Sequence, residues 1–273
     1  MFKLFFLAVL LLSDVSFAHA ETVRDDNAQG LAKLKSGDYK AAIDTLSRAI
    51  NLDHNDAQGY ANRAVAYGKL GDITDAVSDA TQAIEINPKD FKALCIRGQF
   101  YAKKGSIIAA LSDYNEAISI NPQFAVAYND RGAVEILEGN FDGAMVDFTQ
   151  SIKIDPQDTH AYFLRGTLYY HQHNFVQAVA DFSQAIVIDP QDAKSYMSRG
   201  LTYLRENYAN EAVTDLTKAV ELNPKYKRAF YNRAVAYFQL KQYDKAWIDV
   251  HKAQDLGITV DPDFLKALKT ASG

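Results

Sequence analysis

The sequence predicts an all-α chain in which one helix-turn-helix unit repeats head to tail, and three observations carry that prediction. Pro88, Pro122, Pro156, Pro190 and Pro224 stand 34 residues apart. Arg63, Arg97, Arg131, Arg165, Arg199 and Arg233 keep the same step, and a fixed period of this kind marks a solenoid whose units bury their apolar faces against one another. Within one unit the spacing is helical: Tyr162, Gly166 and Tyr169 fall at i, i+4 and i+7, and Phe175, Ala178, Phe182, Ala185 and Ile186 resume the stripe after a break.

The unit from Ala161 to Pro190 reads as helix, turn, helix. His173-Asn174 supplies the polar break, with Asn174 placed to cap the second helix through its side-chain oxygen. Asp189-Pro190 closes the pair, because proline lacks an N–H and restrains the residue before it, so the second helix should finish by Ile188.

These residues resemble the tetratricopeptide repeat: a large apolar residue, then glycine, then Tyr in helix A, and Ala-x3-Phe-x2-Ala with a closing Pro in helix B. Seven copies can be laid down, at 23–56, 57–90, 91–124, 125–158, 159–192, 193–226 and 227–260. The resemblance implies an all-α, right-handed superhelical solenoid of seven repeats over 21–260, with a C-terminal capping helix and tail over 261–273.

In chain order, Lys3, the apolar run from Leu4 to Leu12 and Ala18-His19-Ala20 read as a secretory signal peptide over residues 1–20, cleaved after Ala20. The run is about half the ~20 residues that a membrane span needs, and no Cys follows it to carry a lipid. Its removal takes away Lys3 and Asp14, so the net charge stays at −5. Both signs are interspersed along the helices, which argues against a nucleic-acid ligand, since a duplex binder needs a basic face. Cys95 is the only cysteine, so no internal disulfide forms and stability rests on stacking. These features place the protein outside the cytosol, in a bacterial periplasm or secreted.

Repeat 1 is the least regular, with Asp25, Asp26 and Asn27 in its first helix and His54 at the closing position. Its second helix carries the stripe Tyr39, Ala42, Leu46, Ala49 and Ile50, and Gly37-Asp38 ends one helix in a left-handed residue and caps the next. The device recurs at Gly71-Asp72, Gly105-Ser106 and Gly139-Asn140. From repeat 5 the glycine position holds His173, Asn207 and Lys241, which predicts looser turns; Tyr208, four residues before Ala212, predicts a turn one residue shorter in repeat 6. Gly98, Gly132, Gly166 and Gly200, with Ala64 and Ala234, are expected to let helix A approach Ala76, Ala110, Ala144, Ala178, Ala212 and Ala246 on helix B. Asp261-Pro262 opens a terminal helix carrying Phe264, Leu265 and Leu268, which covers the last repeat's apolar face.

Six repeats pair an Arg in helix A with an Asp sixteen residues later: Arg63 with Asp79, Arg97 with Asp113, Arg131 with Asp147, Arg165 with Asp181, Arg199 with Asp215, and Arg233 with Asp249. Repeat 1 has Gln29 and Thr45 there, and joint loss favours structural ion pairs over a ladder of ligand sites. His160, His171 and His173 cluster in repeat 5, but residues two apart on a helix do not share a face and no acid or Cys completes a metal set, so no metal or other cofactor is expected. Cys95 sits among Leu94, Ile96 and Arg97 without a base, and no G-x-S-x-G, H-E-x-x-H or phosphate loop occurs, so the chain reads as non-catalytic.

The family's ligands lie along the face of the A helices, at positions 2, 5, 9, 12 and 13 of each repeat. The subset that grips a chaperone's terminal carboxylate needs Lys, Asn and Arg where this chain has Asn27, Leu31 and Ile96; only Asn62 and Lys92 match, so that binding is not implied. In repeats 5 to 7 the rule selects Phe163, Tyr170, Met197, Leu201, Leu204, Tyr231, Val235 and Phe238, an apolar set, whereas repeats 1 to 4 show Asn27, Lys69, Lys103 and Asn129. The apolar set either marks an interaction surface or fills contacts between adjacent A helices. The reading is an exported scaffold or adaptor that binds a protein or peptide partner in this groove, with self-association into a homo-oligomer through the same groove as the alternative.

Overall fold

The computed structural model describes residues 20–273, so the expected signal peptide lies outside the described residues apart from Ala20. Among the described residues there are fifteen helices and no strand. They are α1 (20–36), α2 (Tyr39–Leu52), α3 (Ala57–Leu70), α4 (Ile73–Ile86), α5 (Phe91–Lys103), α6 (Ile107–Ile120), α7 (Ala125–Leu137), α8 (Phe141–Ile154), α9 (Thr159–His171), α10 (Phe175–Ile188), α11 (Ala193–Arg205), α12 (Ala209–Leu222), α13 (Lys227–Gln239), α14 (Tyr243–Asp255) and α15 (Pro262–Ser272). They form two compact units divided after Gly139, inside the fourth repeat.

At four of the junctions between repeats a four-residue device with Asp at its last position stops a helix and starts another, whereas Phe124 and Tyr226 precede α7 and α13 without a side-chain cap. Asn87 ends α4 in non-helical backbone, its side-chain oxygen accepts from Lys89 N–H, and Asp90 then caps α5 by accepting from Lys92 and Ala93 N–H. Asp189 and Asp192 do the same between α10 and α11. The proline between the two acidic or amide residues needs no donor of its own, so the turn leaves no N–H orphaned.

Inside each repeat the turn is a left-handed residue closed by two backbone bonds. In repeat 3 Ser106 N–H donates to Tyr101 O and Gly105 N–H to Ala102 O; in repeat 5 Asn174 N–H donates to Tyr169 O and His173 N–H to Tyr170 O. His173, Asn207 and Lys241 take φ of 60°, 62° and 59°, so the expected looser turns are not found: the bonds that end the helix impose the conformation on whatever residue stands there. The turn of repeat 6 is also of full length, because Tyr208 occupies the N-cap position and α12 starts at Ala209. Asn174 makes no side-chain cap bond, whereas Asp38, Asn140 and Asp261 do cap their helices.

In each unit the core lies where successive helices pack. Phe182 is 1 % exposed, on the stripe with Ala178 and Ala185. A Cβ on Gly166 would stand 3.0 Å from the Phe182 ring, and one on Gly200 would stand 2.8 Å from Leu216. Those glycines therefore make room for the large residue of helix B, four positions beyond the alanine expected to face them. At the C-terminus α15 buries Leu268 and packs Phe264 and Leu265 on the core of the last repeat. No helix among the described residues is long and apolar enough to cross a membrane.

Candidate functional site

The apolar set selected from repeats 5 to 7 lies on α9, α11 and α13, all in the second unit. Phe163, Tyr170, Met197, Leu201, Tyr231, Val235 and Phe238 are half-buried. Leu204 is 8 % exposed and belongs to a core cluster with Leu216 and Phe230, so it is a packing residue and not part of an open face. Asn129, expected on the polar face of repeat 4, is buried as well.

The half-burial comes from neighbouring helices. Phe163 leans on Phe182 with ring centroids 5.8 Å apart. Asn232 Nδ2 lies 3.8 Å from Met197 Sδ, joining α13 to α11. Phe264 of α15 meets Tyr231 edge-on at 5.8 Å and Phe238 at 5.5 Å, and Phe238 also touches Tyr243. Phe238 is thus partly covered by the terminal helix.

At the turn end of α9 this face opens into a cavity of about 500 Å³ lined by Tyr170, His171, His173, Phe175 and Arg205. Arg205 Nε donates to Tyr170 Oη at 3.0 Å. The Tyr170 and Phe175 rings lie 5.7 Å apart, and His173 stands edge-on to Phe175 at 5.8 Å. His160, His171 and His173 are exposed, and no group of three potential metal ligands forms among the described residues.

Five of the Arg and Asp pairs are two-point bonds within a repeat: Arg63 with Asp79, Arg97 with Asp113, Arg165 with Asp181, Arg199 with Asp215 and Arg233 with Asp249, with N···O distances from 2.6 to 2.9 Å. The bond to the carboxylate raises the pKa of Arg63, Arg97, Arg165 and Arg199 above its ordinary value and outweighs the desolvation that lowers it. The sixth expected pair, Arg131 with Asp147, has its members in different units. Every one of these guanidinium groups except that of Arg97 also reaches back to the previous repeat, as does Arg131: Nη1 donates to Ser47 from Arg63, to Asn115 from Arg131, to Thr149 from Arg165, to Ser183 from Arg199 and to Thr217 from Arg233. The arginine is therefore a staple through three helices. Its small polar acceptor, sixteen residues upstream and repeating every 34, was visible in the sequence but is uncharged and was missed.

Cys95 is 3 % exposed, and burial pushes its thiol pKa well up, which keeps it protonated and unreactive.

Family models described as TPR repeat or tetratricopeptide repeat match residues 30–71, 57–90, 91–124, 159–192, 193–226 and 216–248, together more than half of the chain. No curated protein matches. Among solved structures, PilF of Pseudomonas aeruginosa is 17 % identical with a TM-score of 0.68 over 78 % of this chain and 96 % of that one. A tetratricopeptide repeat protein from Parabacteroides merdae is 20 % identical with a TM-score of 0.63 over 93 % of this chain and 100 % of that one. YrrB, described as a TPR protein with an unusual peptide-binding site, is 22 % identical with a TM-score of 0.57 over 71 % and 98 %. At these identities the likeness is one of fold.

Proposed function

Since the chain belongs to the tetratricopeptide repeat family, we propose that it is a non-catalytic scaffold that binds an extended protein segment along the A helices of its last repeats. The observation that carries this reading is the run of half-buried apolar and aromatic side chains on one face of α9, α11 and α13, with Leu201 at its centre. Rigid, partly desolvated side chains of that kind supply contact area at little ordering cost. The peptide-binding site ascribed to YrrB lends the reading support by analogy.

The scaffold works outside the cytosol, as the basic, apolar and small-residue segments ahead of Glu21 suggest. N-terminal sequencing of the protein from cell fractions tests this: a start at Glu21 in an exported fraction is expected, and a cytosolic chain starting at Met1 overturns it. The groove is tested with a photo-reactive amino acid placed in living cells at Leu201 or at Val176, which is 69 % exposed on α10. A discrete partner cross-linked from 201 and not from 176 is expected. Equal cross-linking from both overturns the groove, and a cross-linked dimer of the chain itself replaces the adaptor with a self-associating protein.

A further inference from the structure

We propose that the cavity between α9, its turn and α11 is an acid-binding subsite, which takes an Asp or Glu side chain of the partner segment; the proposal rests on the groove reading above. The chain as a whole carries more acid than base, with a net charge of −5. Yet the residues lining this cavity are Tyr170 and His171 from α9, His173 from the turn, Phe175 from α10 and Arg205 from α11, three basic groups and no carboxylate. Arg205 is held in place from one side only. Its Nε bonds Tyr170 Oη at 3.0 Å, which fixes the guanidinium plane and leaves the paired Nη donors for a carboxylate, the fork geometry for which arginine is suited. A lysine-like role of balancing the carbonyl end of α11 would need no bond to the tyrosine of another helix.

His173 adds to the case, because it stands in the left-handed region at φ 60° where the first four repeats use glycine. A side chain held there at a cost is worth asking a function of. Its ring lies edge-on to Phe175, and it lines the cavity together with His171. The rings of Tyr170 and Phe175 form its apolar wall, which favours an acidic residue next to an aromatic or aliphatic one.

The test is fluorescence anisotropy of the purified chain with a labelled capped peptide, Gly-Glu-Phe-Glu-Gly, and its Gly-Gln-Phe-Gln-Gly counterpart. The acidic peptide should bind about tenfold more tightly than the neutral one, and lose about tenfold in Arg205→Gln, the scale of one charged hydrogen bond. Arg205 is exposed, so the variant should keep the parent's helical circular dichroism. Equal binding of the two peptides, no binding of either, or unchanged binding by Arg205→Gln overturns the subsite. Displacement of the peptide by inorganic phosphate but not by acetate at equal ionic strength also overturns it and assigns the cavity to a phosphate group. Cross-linking from Leu201 reads the groove independently: a partner retained there while the peptide fails to bind sinks the subsite alone.

Discussion

The arginine staple allows a sharp prediction at Arg199 and Asp215. Arg199 bonds Asp215 through Nε and Nη2 at 2.7 and 2.8 Å, bonds Ser183 through Nη1 at 2.9 Å, and lies 5.8 Å from the Tyr196 ring centroid. Asp215 is 4 % exposed, so Arg199→Ala strands a buried carboxylate. Breaking a buried pair costs about 3 to 5 kcal/mol. The arginine side chain retains 20 % of its exposure, which admits some water and places the expected loss near the lower end, at about 3 kcal/mol. Asp215→Ala strands the guanidinium and should cost a similar amount. The double variant removes both charges, so its loss should be close to either single loss and not to their sum, a coupling of about 3 kcal/mol between contacting residues.

Urea unfolding followed by helical circular dichroism measures all three. The reasoning is refuted if each single variant shifts stability by less than about 0.5 kcal/mol, the range of ordinary surface changes. It is equally refuted if the two single losses simply add, since that would make the pair two independent packing residues. Arg199→Ala should also weaken the contact between repeats, because Ser183 belongs to the preceding one; Ser183→Ala should cost only about 1 kcal/mol, the value of one ordinary hydrogen bond.

Three further outcomes follow from packing. Phe182→Ala removes a ring that is 1 % exposed and touches Phe163, and should cost about 3 to 5 kcal/mol in urea unfolding. Gly200→Ala, whose Cβ would stand 2.8 Å from Leu216 Cγ, should cost about 1 to 3 kcal/mol by overpacking, although alanine is the better helix former. Lys241→Gly relieves a left-handed residue and should raise stability by up to about 1 kcal/mol, with a smaller gain for Asn207→Gly because asparagine tolerates that region; a loss in either variant would contradict the turn geometry.

How much of this was legible varies with the range of the interaction. Helix limits were legible because caps and stops are local: Asn87, Pro88 and Asp90 determine their turn almost alone. The pairing of Arg with Asp was legible because the period repeats it and repeat 1 drops both members together. The turns at His173, Asn207 and Lys241 were misread because residue preference was weighed without the two helix-closing bonds that outvote it. The glycine partners were misread for a different reason: spacing names the face of helix B but not which residue on it projects furthest, and the ring of Phe182 reaches where Ala178 does not. Face position also could not separate Leu204, sunk into the core, from Leu201, because that depends on how closely α11 approaches α13.

The three non-glycine turns share a further property that connects fold to function. His173, Asn207 and Lys241 each line a cavity at the turn of its own repeat, and these are the repeats whose A helices carry the apolar face. Glycine would make the same turn without strain, as it does at Gly71 and Gly105, but it would bring no side chain to the cavity at the turn. Substituting glycine at His173 should therefore separate two properties that usually move together, raising stability while removing a polar group from the cavity that Tyr170 lines. Of the three, only the cavity at His173 includes a residue of that face, Tyr170, so His173→Gly is the variant in which a gain in stability should be accompanied by weaker binding.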